Sequence, residues 1–149
     1  MKIASTNITS AVTHRVVALG MKAHLQCLQE VCLPKRLIKG MIADAIEAGK
    51  SFIGGPVDPE HAKATAGVGF LAVKGLVLYP HPNPSKDYVD AEASGRCMIV
   101  CTDLGGCTLA IATVYGWTGA VKGSREAERT DDIFTIIQNE FEEMEPGPR

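Results

Sequence analysis

Arg96-Cys97-Met98-Ile99-Val100-Cys101-Thr102, then Asp103-Leu104-Gly105-Gly106, then Cys107-Thr108-Leu109-Ala110-Ile111-Ala112-Thr113-Val114-Tyr115 is the stretch that decides the architecture. Two apolar runs rich in β-branched residues flank a short glycine-containing turn, which is the pattern of a β-hairpin. On the second strand Leu109, Ile111 and Thr113 share one face. The opposite face carries Ala110, Ala112 and Val114, small enough to let another layer approach closely.

Upstream, Val68–Val73 and Leu76–Tyr79 form an apolar run around Lys74-Gly75, read as a hairpin or a bulged strand. Pro80-His81-Pro82-Asn83-Pro84 excludes regular structure, because three prolines remove backbone donors and bias their neighbours. Lys2–Ile8 reads as a first strand, followed by a helix through Val16, Val17 and Leu19, and His24–Glu30 as a second strand. The clearest helix starts at Pro34, carries Leu37, Ile38, Met41, Ile42, Ala45 and Ile46 as one apolar stripe, and stops at Gly49. Proline in the first turn and glycine just past the last are the expected end signals. Gly54-Gly55-Pro56 breaks the chain into a loop. Glu126 to about Met144 is helical, with Ile133, Ile137, Phe141 and Met144 inward. Glu142, Glu143 and Glu145 crowd its C-terminal end, which the helix dipole disfavours by about 0.3–1 kcal/mol each. Hairpin strands mixed with helices point to an α/β layered domain with a mixed sheet.

The 149 residues suit one domain, residues 1–149, able to bury roughly 68–70% of the unfolded surface. Apolar residues at 46% and charged residues at 21% exclude a disordered chain. A net charge of −2 advertises neither nucleic acid nor an anionic membrane for the molecule as a whole. Residues 1–86 carry ten Lys/Arg against five Asp/Glu, and residues 87–149 carry five against twelve. The acidic run from Glu126 reads as a solvated helix face. No stretch approaches the roughly 20 apolar residues of a membrane span, and the start is not a secretion signal. The expected location is therefore intracellular, cytoplasmic or nuclear, and the Asn7-Ile8-Thr9 sequon is accidental. Cys27, Cys32, Cys97, Cys101 and Cys107 form no C-x-x-C spacing, so they read as reduced thiols buried on strands rather than zinc ligands.

Several motifs fail. Gly49-Lys50-Ser51 resembles the tail of a P-loop, but Asp44 stands where the first glycine belongs and a helix precedes it. Gly67-Val68-Gly69 is no dinucleotide fingerprint, since Ala72 takes the third glycine's place. His14, His24, His61 and His81 lie far apart, none beside an aspartate, and read as surface or loop residues.

What survives is a series of strand ends. Asn7 closes the first strand. Leu25-Gln26-Cys27-Leu28-Gln29-Glu30 ends in an amide and a carboxylate. Thr113-Val114-Tyr115-Gly116 ends in a phenol, and Ser94-Gly95-Arg96 sits at the mouth of the hairpin. In order and spacing these resemble the endonuclease/exonuclease/phosphatase superfamily of DNase I-like nucleases, abasic-site endonucleases and retroelement endonucleases. Cys27-Leu28-Gln29-Glu30 is the most specific piece; Thr6 departs from the family's common tryptophan.

The resemblance implies a DNase I-like layered sandwich, a mixed and largely antiparallel sheet with flanking helices, and metal-assisted phosphoester hydrolysis. It implies Glu30 and Asn7 at a Mg²⁺ (or Mn²⁺) site and Tyr115 on the scissile phosphate. A hard cation takes oxygen ligands, and Mg²⁺ often uses one or two carboxylates with water and phosphate. The family's Asp-x-Asn and Ser-Asp-His motifs have no match in this sequence, so the expectation is a partial domain with weak metal binding and little or no activity alone. The substrate class is a phosphoester, with nucleic acid among the candidates, no membrane partner, and self-association through an exposed sheet edge. A non-catalytic binding or structural module and an unrelated small α/β protein are the competing readings.

Overall fold

The computed structural model describes residues 1–60 and 66–144. His61, Glu145 and the Pro146-Gly147-Pro148-Arg149 tail, all part of the sequence reading, lie outside the described residues.

The chain runs β1 (Ile3–Asn7), α1 (Ala11–Gly20), β2 (Leu25–Gln29), a 3₁₀ turn (Lys35–Leu37), α2 (Ile38–Glu47), β3 (Lys50–Gly54) and β4 (Gly69–Val73). It continues through β5 (Tyr79–Pro80), α3 (Lys86–Ala93), β6 (Cys97–Leu104), β7 (Cys107–Val114) and α4 (Arg125–Glu143). Two sheets result, ordered β1-β2-β4-β3 and β5-β6-β7. β1 and β2 are parallel and every other pair is antiparallel.

Period-two alternation sorts the strand residues into layers. Leu25, Cys27, Phe70 and Ala72 from the first sheet meet Met98 and Val100 from the second in a dry layer between the sheets, with Ile111 and Tyr115 against it. The alternate residues Leu28 and Leu71 face outward onto α1 and α2 through Ala11, Ala18, Met41 and Ala45. Cys97 and Ile99, with Ala110, Ala112 and Val114, face α3 and α4 through Tyr88, Ala91, Ile133 and Ile137. The small face expected on β7 thus receives a helical layer. The architecture is helix, sheet, sheet, helix.

Serine caps begin three helices: Ser10, Ser85 and Ser124 each accept from a backbone N–H in the first turn. Such caps are each worth about 1 kcal/mol.

Several expectations need correction. The Val68–Tyr79 run is not a hairpin. Its first part is β4 in one sheet, and after the Lys74-Gly75 turn its end becomes β5 in the other, pairing Tyr79 with Cys101. Residues 50–54 form a strand, β3, and residues 86–93 a helix, α3, neither of which was foreseen. The α2 stripe is only partly used, since Met41 and Ala45 are buried while Ile42 and Ile46 are exposed. On α4 it is Glu140, not Phe141, that turns inward. His81 lies in a loop as expected but is buried, its Nε2 2.6 Å from Glu140 Oε2. Among the cysteines Cys27, Cys97 and Cys101 are buried, but Cys32 is half-buried in a loop and Cys107 is exposed. No helix among the described residues is long and apolar enough to cross a membrane.

Candidate functional site

The parallel pairing of β1 and β2 sets Asn7 opposite Gln29, so both strands finish at the same end of the sheet. Beyond it, Val31 N–H donates to Gly67 C=O and Cys32 N–H to Ala66 C=O, which folds the two loops into one wall. The second sheet arrives from the other side. Tyr115 N–H donates to Arg96 C=O at 2.7 Å, just past the end of β7. The Gln29 side chain bridges the sheets: its Nε2 donates to Ser5 Oγ at 3.0 Å and to Thr113 Oγ1 at 3.2 Å.

Between these ends lies a hollow of about 290 Å³, lined by Thr9, Glu30, Cys32, Ala66, Arg96, Tyr115, Trp117 and Thr118. The Tyr115 phenol donates to the Glu30 carboxylate, so a residue from each sheet meets across it. Burial pushes the Tyr115 phenol above its ordinary range, and the bond to Glu30 adds to this. The phenol is therefore a neutral donor at physiological pH.

The rim is strained. Thr9, Glu30, Cys32 and Ala66, with φ of 58°, 51°, 46° and 54°, are all the non-glycine residues in the left-handed region among those described, and all four line this hollow. Such conformations cost about 1–3 kcal/mol each and gather where surrounding structure enforces them, commonly at functional sites.

Arg96 forms the deep side. It is 5% exposed, its Nη2 donates to Asp58 Oδ2 at 2.8 Å, and its Nη1 donates to Gly116 C=O at 3.1 Å. Its guanidinium carbon lies 5.4 Å from the Tyr115 ring centroid and 4.8 Å from that of Trp117. Arg129 covers Trp117 as well, at 4.2 Å. The single tryptophan is therefore held between two guanidinium groups. Gly95 fits the loop to this wall. At φ +73°, a Cβ there would stand 2.6 Å from Pro56 O. Burial and then the Glu30 charge raise the Cys32 thiol pKa, with Arg96 offsetting only part, which disfavours the thiolate form.

Of the residues foreseen in the sequence, Glu30 and Tyr115 come together. Asn7 does not line the hollow; its Oδ1 accepts from Thr9 N–H at 2.9 Å and turns the chain toward α1. Arg96 was noticed only as part of a strand-end pattern, and Asp58 and Trp117 carried no signal at all, since only folding brings them to the site.

The donors do not fit a divalent ion held by this chain alone. Glu30 is the one carboxylate lining the hollow, the Asn7 oxygen is already engaged, and no cluster of three His, Cys, Asp or Glu side chains able to hold a metal occurs among the described residues. A larger apolar hollow, about 460 Å³, lies between β3 and residues 73–78. The half-buried Lys50 ammonium in its lining is committed to the Ala18 and Met21 carbonyls, and no carboxylate lines it among the described residues.

No family profile and no curated protein sequence matches the chain. Solved structures do. A 3′-5′ exonuclease (NExo) from Neisseria meningitidis superposes with a TM-score of 0.63 at 16% identity, covering 95% of this chain and 51% of that one. A Neisseria NExo structure described as a 3′ phosphatase bound to a product DNA hairpin gives the same score at 17% identity, with 95% and 51% covered. The AP endonuclease LMAP from Leishmania major gives 0.63 at 17% identity, with 93% and 47% covered. The fold is thus the DNase I-like fold of exonuclease, AP endonuclease and phosphatase proteins, and the chain spans about half the length of these structures.

Proposed function

We propose that the chain forms a single domain of a metal-dependent phosphoester hydrolase of nuclease or phosphatase type, carrying part of the catalytic set and weakly active or inactive alone. The observation that supports it is the meeting of Glu30 and Tyr115, from the ends of two different sheets, in one strained hollow. A neutral phenol there is suited to donate to a phosphate oxygen. Arg96, paired with Asp58, stands behind it, and the Trp117 ring forms the adjoining wall. Asn7 shapes the rim through Thr9. The donors among the described residues do not by themselves accommodate the expected Mg²⁺ or Mn²⁺. A nucleic-acid substrate is favoured because a similarly folded structure holds a product DNA hairpin.

The test is hydrolysis of 3′-phosphorylated and abasic oligonucleotides, with Mg²⁺, Mn²⁺ or a chelator, by the parent chain and by Glu30→Gln. Any activity is expected to be slow and to fall by about 10² or more in the variant, the usual worth of one positioned catalytic group. Equal rates in both proteins would remove Glu30 from the mechanism.

A second reading, a non-catalytic binding module, is favoured by the incomplete donor set. It predicts oligonucleotide-dependent change in Trp117 fluorescence with no hydrolysis under any metal condition.

A further inference from the structure

β7 is an edge: β6 pairs one side of it, and no strand among the described residues pairs the other. Natural sheet edges are blunted by lysine, proline, a bulge or brevity. β7 uses none of these. Its register against β6 is unbroken over eight residues, from Leu104 opposite Cys107 to Cys97 opposite Val114. No proline or glycine occurs from Cys107 to Tyr115, and no charged residue between Asp103 and Lys122. The β1 edge of the other sheet is preceded by Lys2.

The backbone direction along this edge follows from one bond. Tyr115 N–H donates to Arg96 C=O, so odd-numbered residues turn their backbone groups toward β6. Alternation then leaves the N–H and C=O groups of Thr108, Ala110, Ala112 and Val114 pointing outward.

We propose that a second copy of this chain pairs antiparallel along β7, about a twofold axis through Ile111. In that register Ala110 stands opposite Ala112 of the other copy and Thr108 opposite its Val114, all in hydrogen-bonding positions. Both sheet faces are preserved: Ile111 stays on the inter-sheet side and the alanines on the helix side. A charge-free strand meets its own copy without the like-charge opposition that disfavours such pairs. The interface is isologous and closed, six strands across.

Sedimentation velocity over micromolar to sub-millimolar concentrations, in reducing buffer because Cys107 is exposed, tests this. A reversible monomer–dimer equilibrium is expected. Leu109→Lys puts a charge on a partly exposed side chain two residues from the axis, and Ala110→Pro removes an outward donor without costing a β6 bond. Each should weaken dimerisation by about tenfold or more, with parental circular dichroism; if Ala110→Pro misfolds, Leu109→Lys decides. A chain that stays monomeric throughout, or a dimer indifferent to Leu109→Lys, overturns the proposal.

Discussion

Replacing Asp58 with alanine should destabilise the protein far more than its loop position suggests. Asp58 and Arg96 are 3% and 5% exposed and their charged atoms are 2.8 Å apart. Without Asp58 the guanidinium keeps Gly116 C=O and two aromatic rings, but its charge is buried without a counter-ion. Breaking such a pair from one side costs about 3–5 kcal/mol. For a chain of this size each kcal/mol moves Tm by about 2–4 °C, so the fall should be roughly 6–20 °C. The Arg129–Glu60 pair is the internal control, with side chains 32% and 59% exposed, and Glu60→Ala should cost about 1 kcal/mol or less. Thermal melts by circular dichroism give the stabilities, and Trp117 emission reports the wall itself. The double variant Asp58→Leu/Arg96→Met should recover much of the loss, since an apolar replacement of a buried pair is often neutral or better. A Tm loss for Asp58→Ala no larger than that for Glu60→Ala would refute the reasoning.

Glu140 gives an acid-side prediction. Burial pushes its carboxyl up, but hydrogen bonds from Ser85 and His81 outweigh this and hold it below the usual range. The folded state then binds fewer protons than the unfolded one. The resulting stability is complete above about pH 4.3 and is lost as the pH falls below it. Glu140→Gln should flatten the acid limb of a Tm-against-pH curve, and an unchanged limb would contradict the assignment. Gly95→Ala meets Pro56 O at 2.6 Å in a left-handed conformation. It should cost about 2 kcal/mol or more by chemical denaturation, and a neutral effect would mean that the loop moves freely.

Much of this fold was legible because one physical signal dominated locally. Gly105-Gly106 between two long apolar runs fixes the β6–β7 hairpin, and Pro34 and Gly49 bracket α2. β3 was hidden because its five residues follow a helix directly and run into Gly54-Gly55-Pro56, too short for an alternating pattern. α3 was hidden by its low apolar content, although Ser85 offered a cap signal. The crossing of residues 76–80 from one sheet to the other depends on pairing with Cys101, a tertiary choice no local pattern encodes. At the site, Glu30 and Tyr115 were visible as strand ends. Arg96 was visible only within Ser94-Gly95-Arg96, and Asp58, like the His81–Glu140 pair away from the site, was not, because buried charged and polar groups look like surface ones until their partners are known. Phe141 and Glu140 differ by one position, and a helical stripe read at 3.6 residues per turn is easily displaced by that much.

Glu30 and Tyr115 are anchored to separate sheets, and the packed layer between those sheets, with the Gln29 bridge, sets how far apart their strands end. A change of side-chain volume at Phe70 or Val100, neither of which lines the hollow, would tilt one sheet on the other like a hinge and alter the span at the mouth. Aperture is then a property of the interior, and selection for a wider or narrower ligand could act through aliphatic substitutions that never touch it.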